Sequence, residues 1–147
     1  MELKSLLIFL FVAIMATSIA EAQNPLGIVH VNGTLYCTIN GGPNGPATPP
    51  FSNATVQLEC DPANLVFSTN VTTNAAGRYD VIVIPSQNTT LNAILSSCKL
   101  AVDTPLSNCN ANLPSVGRLA STLQFVKTIP AGFFRVTYLI ATNFQLI

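Results

Sequence analysis

The sequence predicts an all-β protein, a small antiparallel β-barrel or sandwich of about seven strands. Three observations predict this fold class. Apolar and polar residues alternate with period two over most of the chain, which is typical of strands with one buried face. Turn-forming residues separate the alternating segments at short intervals. Four cysteines, an even number, are suited to two disulfides that would staple such a domain.

The first strand is predicted over residues 29–39, where the apolar register consists of Val29, Val31, Gly33, Leu35, Cys37 and Ile39. Turn chemistry such as Asp61-Pro62 and residues 74–77 separates the later segments. Residues 91–97 are the one stretch in which a helical turn is expected. The remaining strands are predicted over residues 54–60, 65–72, 78–84, 98–102, 119–126 and 134–140.

Residues 40–53, NGGPNGPATPPFSN, form the longest irregular segment. Their Gly and Pro content rules out a helix or a central strand. We expect Phe51 to be exposed there. The segment is then either a recognition edge or, as we favour, a solvated connector without a partner.

The N-terminus indicates export. Lys4 precedes the apolar run LLIFLFVAIMA, which is too short to span a bilayer and is typical of a signal peptide. Ala20-Glu21-Ala22 provides the A-x-A spacing of a cleavage site. We therefore predict a removed signal peptide over residues 1–22 and a single extracellular β domain over residues 23–147.

The mature chain has few charges and several glycosylation sequons. Four acidic and five basic residues follow residue 22, and we expect this balance to give no field that attracts nucleic acid or an anionic membrane. Without a basic amphipathic helix, stable membrane insertion is not expected either. The N-x-S/T pattern predicts N-glycosylation at Asn32, Asn53, Asn70 and Asn88.

Cys37, Cys60, Cys98 and Cys109 are predicted to form two structural disulfides, because secreted chains normally oxidise an even set. Four cysteines allow three connectivities, and the residues alone leave all three open. A zinc site is excluded by spacing, since no C-x-x-C is present and the chain has one histidine.

No catalytic, cofactor-binding or metal-binding residue is predicted. His30, the single candidate base, lies in mid-strand two residues from the sequon at Asn32. Glu59 and Asp61 share a strand face at i, i+2 but are expected to be solvated, as most such pairs are. Neither a dinucleotide fingerprint nor a phosphate-binding loop is present, so we expect a protein that is not an enzyme.

The segments GTLYC, VQLEC, CKLAV and SNCN, with TTNAAGRYDV among them, resemble the pollen-allergen and extensin family typified by the major olive pollen allergen. That resemblance implies the pairing Cys37–Cys109 and Cys60–Cys98. Two of the six cysteines of the family are absent here, and in the family those two pair with each other.

The stretch TPLSNCNANLPSVGRLAS, with NATVQLEC upstream and a C-terminal NFQLI, resembles the phylloplanins within that wider family. The resemblance implies a secreted plant defence glycoprotein that inhibits oomycete or fungal spores at the plant surface. The expected partner is a spore surface, reached through aromatics such as Tyr36, Phe133 and Tyr138. The alternative is a protein that binds cell-wall carbohydrate or has a structural role in the wall. Residues 104–121 themselves are interpreted as scaffold held by Cys109.

Overall fold

The computed structural model describes residues 27–147, so the predicted signal peptide lies outside the described residues. Two five-stranded sheets face each other and form a sandwich, which confirms the all-β prediction. The strands are β1 (Ile28–Thr34), β2 (Thr55–Cys60), β3 (Val66–Ser68), β4 (Val71–Thr72), β5 (Arg78–Pro85), β6 (Cys98–Val102), β7 (Leu119–Ser121), β8 (Leu123–Ala131), β9 (Phe134–Ala141) and β10 (Gln145–Leu146).

The first sheet has the order β3-β5-β1-β9-β8 and the second the order β10-β7-β6-β2-β4. All neighbours pair antiparallel except β1 and β9, which run parallel with Val29 opposite Thr137. The predicted antiparallel arrangement therefore has one exception among the described strands, the β1–β9 pair. A parallel pair needs a long crossover connection, and here four of the five strands of the second sheet lie between β1 and β9 in sequence.

Two predicted strands divide because the chain passes from one sheet to the other. The segment predicted over residues 65–72 becomes β3 and β4, with exposed Thr69 and Asn70 between them. The segment predicted over residues 119–126 breaks at exposed Thr122 into β7 and β8. Alternation continues through each break, so the pattern alone shows one strand where the structure has two.

The expected helical turn is a short helix, α1 (Leu91–Ser97). Thr90 caps it, and its side-chain oxygen accepts a hydrogen bond from the Ala93 amide at 3.3 Å. Ile94 is the residue of this helix that is fully buried. The helix therefore closes one part of the core between β5 and β6.

The core lies between the sheets. In β3 the structure buries Val66 and leaves Phe67 68% exposed, the reverse of the face that the alternation of Leu65, Phe67 and Val71 predicts. In β1, β2, β5 and β9 alternate residues are buried. In β5, for example, Tyr79, Val81 and Val83 are buried while Arg78, Asp80 and Ile82 are exposed. The largest side chains with almost no exposure are Phe51, Leu35, Ile94, Leu100, Leu119 and Leu139. Burial of such apolar surface is the main stabilising term in a domain of this size.

Phe51 corrects the prediction made for the 40–53 segment. Its side chain is 1% exposed, and its amide donates to the Leu35 carbonyl at 2.8 Å. The Cys37 amide likewise donates to the Pro49 carbonyl at 3.0 Å. The first strand ends at Thr34. After it, the Leu35 amide still bonds to Gly77 in the turn before β5, but the Leu35 carbonyl and the amides of residues 36 and 37 bond to the 40–53 segment. The segment covers one end of the core.

Candidate interaction surface

The outer face of the first sheet carries a mixed polar and apolar surface. Because β1, β5 and β9 bury alternate residues against the second sheet, the residues between them point away from the core. Cross-strand pairing places His30 beside Ile82 on one side and beside Tyr138 on the other. These neighbours depend on register, which the sequence pattern does not specify.

A row of four side chains crosses this face from β5 to β8. His30 Nδ1 lies 3.1 Å from Asp80 Oδ1, and the imidazole stacks on the Tyr138 ring with centroids 5.5 Å apart. Lys127 Nζ lies 5.3 Å from the centre of the same ring. Because β1 and β8 flank β9, His30 and Lys127 approach Tyr138 from its two sides. The Asp80 carboxylate lies at one end of the row, beside His30. At the other end, Lys127 makes a cation–π contact with Tyr138.

A groove of about 770 Å³ opens beside this row, between β2 and β3. Phe67, Ile82 and Ile84 supply an apolar wall, while Gln57 and Glu59 supply a polar one. The groove exists because β2 pairs with β4 only through Thr55 and Val56, which leaves the rest of that edge open. Sequence reasoning did not find it, since it depends on where a two-residue strand ends.

The four predicted cysteines join as Cys37–Cys109 and Cys60–Cys98 in the structure, the pairing that the family resemblance implies. Cys60 and Cys98 are directly opposite each other in β2 and β6. Cys37–Cys109 ties the segment at residues 104–121 to the chain just before the 40–53 segment. Leu106 of that segment is 2% exposed, so residues 104–121 contribute both a cross-link and a core side chain.

The sequon asparagines lie at the surface of the domain. Asn53, Asn70 and Asn88 are exposed in connections, whereas Asn32 is half-buried on the outer face of β1, opposite Asp80. Asn53 and Asn88 have positive φ angles of 57° and 69°, a conformation that asparagine tolerates better than most residues. Glycosylation at all four sites stays a prediction, with Asn32 the site nearest to the His30–Tyr138 row.

The predicted contact aromatics do not form one cluster. Phe133 is fully exposed at the turn between β8 and β9. Tyr138 is half-buried in the row on the sheet face, and Tyr36 is half-buried in an isolated bridge with Pro50. The structure thus leaves Phe133 as the most accessible of the three.

Arg118 makes an ion network across the second sheet that the sequence did not reveal. Its guanidinium bonds to Glu59, and its Nη1 lies 3.5 Å from Asp103 Oδ1. The hydrogen bond from Arg118 lowers the pKa of the Glu59 carboxyl below its ordinary value, against the opposing effect of partial burial. Asp61, paired with Glu59 in the sequence interpretation, is exposed beyond the end of β2 and outside this network. Glu59 therefore has a structural role as an ion-pair partner of Arg118.

Replacing Glu59 with Gln is expected to make the protein less stable at neutral pH by up to about 1 kcal/mol, the range for partly exposed pairs. Because the folded-state pKa of Glu59 is depressed, its contribution is present above the unfolded pKa and is lost as the pH falls through the folded pKa. Urea unfolding at pH 7 and at a pH well below 4 should show the difference from wild type shrinking. Asp61→Asn is the control, with wild-type stability at pH 7. A Glu59→Gln deficit that persists in acid would contradict the assignment.

Within residues 27–147, no three His, Cys, Asp or Glu side chains are grouped so that they could hold a metal ion. His30 has Asp80 as its hydrogen-bonding side-chain partner in this part of the chain, and no hydroxyl or thiol nucleophile bonds to it. None of the helices described is long and apolar enough to cross a membrane. The described surface presents aromatic rings, aliphatic side chains and a few charges.

Comparison with known proteins gives a consistent result along the chain. The family described as phylloplanin antifungal protein matches residues 25–147. The phylloplanin of Nicotiana tabacum is 43% identical over 135 residues, which cover 88% of this chain and 84% of the tobacco protein. No solved structure matches the chain. The match includes both disulfides, both sheets and the 104–121 segment, and the chain therefore belongs to the phylloplanin family.

Proposed function

We propose that this protein is a secreted, non-enzymatic plant defence glycoprotein that inhibits the germination or growth of oomycete or fungal pathogens at the plant surface. The observation that carries the proposal is the match to an antifungal family over residues 25–147. The extent of the tobacco match adds support, since an identity of 43% extends over most of both chains and is not confined to a motif.

The surface chemistry is compatible with action by contact. His30 is engaged with Asp80 and Tyr138, and the carboxylate of Glu59 is engaged with Arg118. Accessible apolar side chains, by contrast, are numerous on the first sheet and its hairpin. We accordingly propose a spore surface as the partner. Tyr138 has little open ring face for stacking on a sugar, because His30 stacks on its ring and Lys127 lies over it.

The test is germination of oomycete and fungal spores over a dilution series of the secreted, glycosylated protein comprising residues 23–147. We expect dose-dependent inhibition that is lost after reduction and alkylation, because both disulfides hold the folded surface. Inhibition should follow the ratio of protein to spores and should not increase with preincubation, as it would if an enzyme were consuming a wall component. Normal germination of several species at every dose would refute the proposal.

A further inference from the structure

The hairpin of β8 and β9 ends in an apolar tip, which we define as residues 129–134, IPAGFF. Phe133 is fully exposed, Phe134 is 61% exposed and Ile129 is 41% exposed. Within residues 27–147, β1 pairs with β9 from Val136 to Leu139 and Gly27 lies against the Arg135 backbone, so only the rungs beyond Arg135 have no third strand beside them. The tip therefore projects past the paired part of the sheet.

Exposure of these side chains has no explanation in the packing of the described domain. A single exposed apolar residue is ordinary, but two phenylalanines and an isoleucine at one projecting end form a patch of the kind that contacts an apolar phase. Gly132 makes the turn with a φ of 65°, and no atom lies within 4 Å of the position that a Cβ would take. The turn is thus free of contacts on its outer side.

Cations flank the tip on both of its faces. Pairing places Lys127 opposite Tyr138 on the outer face and Arg135 opposite Pro130 on the other. No acidic residue occurs anywhere in residues 104–147. Among residues 27–147, the ion pairs involve His30 and Arg118, and neither Lys127 nor Arg135 has an acidic partner. An apolar tip flanked by two cations is complementary to a layer whose interior is apolar and whose outer boundary is negatively charged.

We propose that the hairpin tip inserts into the interface of an anionic phospholipid bilayer. Phe133 and Phe134 would enter the boundary between headgroups and acyl chains, where apolar groups of peripheral proteins are buried about 5–10 Å deep. At about 3.3 Å per strand residue, Arg135 then lies at the level of the phosphates. Lys127 lies farther out, where its long side chain and a Debye length of about 8 Å still allow attraction.

This inference goes beyond the antifungal proposal and does not depend on it. The binding is peripheral, so it leaves untouched the expectation that the chain does not insert stably into membranes. The near-neutral overall charge argued against membranes at the level of the whole chain. The structure changes the local balance, because Arg118 is neutralised by Glu59 and Asp103, whereas neither cation of the hairpin has an acidic partner within residues 27–147.

Charge favours lipid over the other occupants of such a tip. A second copy docked tip to tip would bring Lys127 and Arg135 close to their own equivalents, and like charges in contact are unfavourable. A neutral polysaccharide or wax would give the cations no partner. An anionic lipid bilayer would accept the apolar tip and would also provide negative charge for Lys127 and Arg135.

The experiment is co-sedimentation of the glycosylated protein with vesicles of 30% phosphatidylglycerol in phosphatidylcholine, and with pure phosphatidylcholine vesicles. We expect binding to the anionic vesicles, with at least tenfold weaker binding for the double variant Phe133→Ser, Phe134→Ser. Lys127→Gln with Arg135→Gln should weaken it by up to about 25-fold, roughly fivefold per cation. Phe67→Ser is the matched control, since Phe67 is 68% exposed on the opposite edge of the same sheet and should stay within about twofold of wild type.

Several outcomes would overturn the inference. These are absence of binding to the anionic vesicles, equal binding to neutral vesicles, or an equal loss with Phe67→Ser. A dimer seen in sedimentation velocity and abolished by the phenylalanine double variant would show instead that the tip joins two copies. Wild-type thermal unfolding of each variant establishes that the fold is intact. Because no spore enters the assay, its result is separate from that of the germination test.

Discussion

Replacing both Cys37 and Cys109 with Ala is expected to lower the free energy of unfolding by about 4 kcal/mol. The bond joins residues 72 apart in sequence, so its removal frees a long loop in the unfolded chain. It also releases the folded segment, because the backbone hydrogen bonds of residues 106–113 in turns and loops all stay within residues 105–114. Leu106 would be the main remaining anchor of this segment.

Thermal unfolding followed by circular dichroism measures the effect. For a domain of this size the expected loss corresponds to a melting temperature lower by roughly 15 °C. Val116→Ser is the control, since Val116 is exposed in the same segment and its replacement should change stability by less than about 0.5 kcal/mol. A double cysteine variant that melts within a few degrees of wild type would show that the segment is held by other contacts.

Replacing Phe51 with Ala is expected to cost about 3–5 kcal/mol, the range for truncating a fully buried aromatic ring. The ring is buried in the core cluster, and the Phe51 backbone bonds both to Leu35 and to the Thr73 hydroxyl. Truncation therefore opens a cavity where the surrounding backbone is held and cannot collapse to fill it.

Urea unfolding of Phe51→Ala beside Phe133→Ala provides a matched comparison of the same substitution. Phe133 is fully exposed, so its truncation should change the free energy of unfolding by less than about 0.5 kcal/mol. Equal effects at the two positions would contradict the burial of Phe51. A large effect confined to Phe133 would contradict the description of the hairpin tip as well.

Much of the fold could be predicted because strand formation here is a local property of the sequence. Alternation in residues 29–39 identified Val29, Val31, Leu35 and Cys37 among the apolar register, and the structure buries all four but leaves Ile39, beyond the end of β1, 59% exposed. The helical turn at residues 91–97 was also predictable, because the residues that begin and end it and the spacing of its apolar side chains are local features of the sequence. The candidate surface was much less predictable. His30, Asp80, Tyr138 and Lys127 are far apart in sequence, and only the register of four strands places them in a row.

By itself, then, the sequence determined the all-β class, the faces of most strands, the low charge and the even set of cysteines. Each of these follows from residue type and nearest-neighbour spacing. The tertiary structure alone decided that Phe51 is buried, that the chain changes sheets at Thr69 and Thr122, and that Arg118 bonds to Glu59. It also decided that the β8–β9 hairpin extends beyond β1 with Phe133 at its end. These features depend on which distant segments meet, and an alternating pattern is equally compatible with many pairings.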